Sequence, residues 1–141
     1  MSLSAERYYL DANTVITILE RNIPFSESQK AFLAGIDAGE TNCASSELTL
    51  AECLVKPLRD SEIARMDAVL AFLDDRKELP LLKFDRAGFI RAAHVRAEAG
   101  LKMPDAMHVA IAEMGGCTMI VSADRNLRLP SPMRRVAFDD L

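Results

Sequence analysis

A chain of 141 residues, half of them hydrophobic and 27% charged, has the size and balance of one ordinary domain over residues 1–141 with its own core, which excludes a disordered chain. No apolar run approaches the ~20 residues that cross a bilayer, and residues 1–7 lack the apolar stretch of a secretion signal, so a cytoplasmic protein with no membrane partner is expected. A formal charge of −4 excludes a broad basic field, but it permits a cluster of carboxylates neutralised by a cation, with Lys and Arg gripping a polyanion nearby.

In chain order, short apolar runs alternate with segments of helical period. The pattern predicts a strand over 7–10, a helix over 12–21, and a second helix over 26–38 ended by Gly39. A short strand over 42–45 follows, then helices over 47–58, limited by Pro57, and over 61–76. Residues 79–84 read as a strand with Pro80 at its start. Asp85 opens a helix that runs to Ala99 and is closed by Gly100. Pro104 begins another helix, ended by Gly115 and Gly116. The run 118–122 is the most β-like in the chain, and a last short strand is expected over 134–138. Cys43, Cys53 and Cys117 are odd in number, widely spaced and set among apolar neighbours, which predicts buried free thiols and no zinc site.

Strands separated by helices argue for an α/β fold of three layers, a mostly parallel sheet covered on both faces. Ligands of such sheets collect outside the carboxyl ends of the strands, where the helix N-termini also point. Asp11 ends the first strand, Asp124 follows the 118–122 strand, Asp105 lies in the first turn after Pro104, and Glu52 sits in the helix after the 42–45 strand. Singly, each Asp is explained as a helix cap or a charge on the helix dipole. Jointly, the fold gathers all four at one edge, where carboxylates would raise one another's pKa.

Leu48, Glu52 and Val55 share one helical face with Ala51 beside them. That face is expected to be buried, so Glu52 would be an inward carboxylate in need of a partner or a cation; the alternative is a Glu at the margin of the stripe that reaches water. Hard oxygen ligands without paired His or Cys select Mg²⁺ or Mn²⁺, one or two ions. Such ions serve phosphodiester hydrolysis.

With these segments in place, Leu-Asp-Ala-Asn-Thr at 10–14, Glu52 within 46–53, Pro-Asp-Ala-Met-His-Val-Ala at 104–110 and Val-Ser-Ala-Asp-Arg-Asn-Leu at 121–127, nearly the whole chain resembles the PIN-domain family, particularly the VapC-type toxins of bacterial toxin-antitoxin pairs. The resemblance implies a parallel sheet of about five strands and a Mg²⁺ or Mn²⁺ site. It further implies endonucleolytic cleavage of RNA, a small antitoxin partner and a homodimer, the last supported by the apolar excess over 66–73. By the same likeness Asp11, Glu52 and Asp105 form the core acidic set and Asp124 a more variable fourth. Asn13 matches a polar position that supports the first acid by hydrogen bonding, and Ser122 stands where Thr is more usual.

His108, three residues after Asp105, could face the site, but a lone helical His is more often a surface or core residue. His94 reads as structural or solvated, and Met103, Met107 and Met114 as adaptable packing. Lys102, Arg125 and Arg128 are candidate RNA phosphate contacts, with Lys56 and Arg59 weaker ones; solvated surface charge is the bland alternative for each. Two other functions stand beside the nuclease. One is a non-catalytic PIN-like module that binds RNA or protein. The other is a phosphatase with Asp11 as nucleophile, which would require a second Asp where Asn13 stands.

Overall fold

The computed structural model describes residues 6–141. Five short strands carry the fold: β1 (Tyr8–Leu10), β2 (Cys43–Ser46), β3 (Leu81–Leu82), β4 (Met119–Val121) and β5 (Arg134–Val136). They form one sheet in the order β3-β2-β1-β4-β5, and every pairing is parallel. Six helices connect them: α1 (Ala12–Glu20), α2 (Glu27–Asp37), α3 (Glu47–Arg59), α4 (Ile63–Phe72), α5 (Arg86–Ala99) and α6 (Met103–Met114).

Side-chain alternation along the strands builds two cores. Leu10 and Val121 face one side, where Val15, Ile18, Phe32, Ile36, Cys53, Val69 and Leu73 bring α1 to α4 against the sheet. Tyr9, Ala44 and Ile120 face the other and pack on Val95, Ala106, Val109 and Ile111 of α5 and α6. The three-layer α/β architecture read from the sequence is therefore present, with a wholly parallel sheet. All three cysteines are buried, and burial pushes the Cys43 and Cys53 thiols up to about 12 and that of Cys117 up to about 11. They are inert thiols of the interior.

Several boundaries differ from the expected ones. The helix expected over 61–76 is the shorter α4, because Leu73 turns into the core and Arg76 donates to the carbonyls of Phe72 at 2.9 Å and Asp74 at 3.3 Å. Pro57 does not limit α3, which runs to Arg59. So near a helix end, the missing proline N–H costs a single backbone bond. The strand expected over 79–84 shrinks to β3, with Leu81 N–H turned to the Asp75 carboxylate at 3.0 Å. After β5 the chain enters a 3₁₀ turn, Phe138–Asp140, instead of extending the strand. Among the described residues no helix is long and apolar enough to cross a membrane.

Candidate functional site

The chain builds outward from β1 through β2 to β3, then returns to place β4 and β5 on the other side of β1. The order reverses between β1 and β4, and a crevice opens at the carboxyl ends of strands at such a reversal. Asp11, directly after β1, caps α1 by accepting Thr14 N–H at 2.9 Å. Thr14 Oγ1 donates to Val121 O at 2.7 Å, which fastens this junction to the end of β4. Beyond β4, Asp124 accepts Asn126 N–H at 2.9 Å and donates its own N–H to Ser122 Oγ at 3.1 Å. Asp105 lies in the first turn of α6, after Pro104.

Two small hollows join these residues. One of about 180 Å³ is lined by Asp11, Asn13, Glu52, Asp105 and His108. A second of about 50 Å³ is lined by Asp11, Asn13, Asp105, His108, Ser122 and Asp124. Asp105 borders both and records the crowding: its carboxyl is held above the usual range by burial first, then by the charge of Asp124, with Glu52 and Asp11 adding and His108 opposing. The four acids expected to share one edge do share it.

The reason expected for Glu52 is wrong. Val55 is 57% exposed and Ala51 is exposed, so the face of α3 that they share with Glu52 is not the buried one; Thr49, Cys53 and Pro57 form that face. Glu52 stands at the margin, its side chain 34% exposed, and its partner is His108, whose Nε2 is 2.5 Å from Glu52 Oε1. His108, which the sequence leaves open between facing the site and an ordinary surface or core place, borders both hollows and is the neighbour of Glu52 that periodicity missed. It is 6% exposed and shares a face of α6 with Asp105 at i and i+3.

Asn13 also departs from expectation. It borders both hollows, but the hydrogen bond that steadies Asp11 comes from the Thr14 backbone. His94 is exposed, as expected. Met103 and Met114 are 41% and 53% exposed, so core packing does not explain them.

Beside the acids runs a groove of about 710 Å³, lined by Asp105 and Asp124 together with Lys102, Arg125, Asn126 and Arg128. Those three cations are exposed, and among the described residues none enters an ion pair. Lys56 and Arg59 lie on α3 outside this groove, and Arg59 pairs with Asp60 at 3.6 Å.

Residues 8–131 match the family model described as the PIN domain. The chain belongs to the PIN-domain family. Its parallel five-stranded sheet is thus that of a PIN domain, and solved structures share the fold. A DNA-bound VapBC from Salmonella typhimurium is 20% identical, with a TM-score of 0.74 over 94% of this chain and 98% of that one. A toxin-antitoxin complex from Klebsiella pneumoniae is 16% identical, with a TM-score of 0.67 over 95% and 99%. VapBC2 from Rickettsia felis, bound to a DNA fragment from its promoter, is 17% identical, with a TM-score of 0.62 over 87% and 96%. No curated protein matches the chain.

Proposed function

We propose that this PIN domain is a Mg²⁺- or Mn²⁺-dependent endoribonuclease, the toxin of a toxin-antitoxin pair. PIN domains are generally nucleases that use divalent metal ions, and the structural likeness to toxin-antitoxin complexes supports the toxin role. The observation that carries the reading is the meeting of four carboxylates at the β1/β4 reversal with an unpaired basic groove alongside.

The donors suit a hard cation, being carboxylate oxygens with the Asn13 amide and Ser122 hydroxyl at the rim. Like charges that lift the Asp105 pKa are those a divalent ion would relieve. Among the described residues no three His, Cys, Asp or Glu side chains form a ready-made cluster; Asp11, Glu52, Asp105 and Asp124 are the residues that would hold a cation here. When bound, the ion supplies activation of a water and stabilisation of the leaving oxygen in an in-line displacement.

The protein's own part is placement. Asp11 at the end of β1 and Asp105 in the first turn of α6 line both hollows, Glu52 lines the larger from α3, and Asp124 lines the smaller from the loop beyond β4. Lys102, Arg125 and Arg128 take the phosphates that flank the scissile one, and tell the enzyme little about sequence. A small antitoxin and a second copy of the chain belong to the same proposal; α4 leaves Ile63 and Leu70 exposed, and light scattering that finds only monomer would remove the homodimer.

Purified protein is expected to cleave RNA with Mn²⁺ or Mg²⁺, and Asp11→Asn and Asp105→Asn each to abolish cleavage with the fold retained by circular dichroism. Undiminished cleavage in both variants would sink the assignment. Mn²⁺ binding without turnover on a broad RNA pool would favour a non-catalytic module instead.

A further inference from the structure

Behind Glu52 lies a closed ring of polar contacts that the nuclease reading does not use. Tyr9 is fully buried in the central strand, and its hydroxyl lies 2.6 Å from Ser46 Oγ, 3.4 Å from Thr49 Oγ1 and 2.7 Å from His108 Nδ1. Ser46 caps α3 by accepting Thr49 N–H at 3.1 Å. The helix that carries Glu52 is therefore tied to Tyr9 at its start. Further along it, Glu52 is tied to His108, which is tied back to Tyr9.

We propose that His108 is a positioning residue for Glu52, held in one tautomer by Tyr9 so that the carboxylate stays aimed at the hollow before a cation arrives. The proposal rests on the reading of Glu52 as a metal-facing acid. An ionised carboxylate only accepts hydrogen bonds, so His108 Nε2 carries the proton toward Glu52. In neutral His108, Nδ1 is then an acceptor, and the Tyr9 hydroxyl donates to it while accepting from Ser46 Oγ. Each of these donors has an acceptor. A Glu with three rotatable torsions would otherwise spend binding free energy on ordering itself when the ion enters, and groups that hold a ligand's orientation typically shift metal affinity 10- to 100-fold when removed.

The test is Mn²⁺ binding by calorimetry on the intact chain for the wild type, Glu52→Gln, His108→Leu, His108→Gln and Tyr9→Phe, with thermal melts of each metal-free protein. His108→Leu is expected to weaken Mn²⁺ by about 10- to 100-fold and Tyr9→Phe by less, while His108→Gln, whose amide can still donate to Glu52, recovers most of the loss. A merely structural role would lower the melting temperature and leave the Mn²⁺ affinity alone, which would overturn the proposal. Nitrogen-15 spectra of the histidines at mildly alkaline pH give a readout independent of activity: His108 protonated on Nε2 supports the ring, and a proton on Nδ1 overturns it. If Glu52→Gln leaves Mn²⁺ affinity unchanged, the metal-site reading itself falls. If Glu52→Gln weakens binding while Tyr9→Phe and His108→Leu do not, only the positioning role falls. Should His108→Leu fail to fold, Tyr9→Phe and the spectra decide.

Discussion

Asp105 holds its charge against burial and against the charges of Asp124, Glu52 and Asp11, and its carboxyl pKa is raised in the folded state as a result. Between the unfolded carboxyl pKa and this raised value the folded chain binds more protons than the unfolded one, so stability falls as pH rises through that window and stays reduced above it. Asp105→Asn should therefore raise the metal-free melting temperature at neutral pH, and the gain should vanish below the carboxylate range. Added Mn²⁺ should stabilise the wild type more than the variant. Calorimetry in which Asp105→Asn melts lower than the wild type at neutral pH would contradict this electrostatic reading. The strand-end and first-turn positions of Asp11, Asp105 and Asp124 were legible because each follows an apolar run or a proline. The setting of Glu52 was not, since its partner is 56 residues away on another helix and periodicity reads only neighbours on the same one.

At the scale of elements, local chemistry explains which boundaries could be read. Ser26 and Gln29 form a full capping box at the start of α2, and Gly100 closes α5 in the left-handed conformation at φ 70°, so both ends appear in the sequence. The ends of α4 and β3 are set by Arg76 and Asp75 reaching backbone groups nearby in the chain, side-chain contacts that hydrophobic periodicity does not record. Ser26→Ala should cost about 1 kcal/mol in denaturant unfolding. Because α2 packs on the face opposite α5 and α6, Mn²⁺ affinity should not change; a loss of affinity equal to that of a site variant would mean that the two are coupled through the fold.

For the whole molecule, alternation of strands and helices was enough to predict a parallel sheet, and a parallel sheet was enough to predict the edge at which the four acids meet. The strand order, and with it the placing of Asp11 and Asp124 on either side of one reversal, comes from long-range pairing that no local pattern records. The net charge of −4 does not record that Lys102, Arg125 and Arg128, already candidates for phosphate contacts in the sequence, line one groove beside the acids. If those cations hold phosphates of a single strand, changing all three to Ala in an Asp11→Asn background should flatten the plot of log binding constant against log salt by about 2. An unchanged slope would put the RNA elsewhere.

Whether the acidic edge cuts RNA is decided by mapping new RNA ends in cells that express the wild type or Asp11→Asn. Discrete ends that appear with the wild type and are absent with Asp11→Asn are predicted. The same ends in both, or none in either with both proteins folded and expressed, would contradict cleavage by this edge.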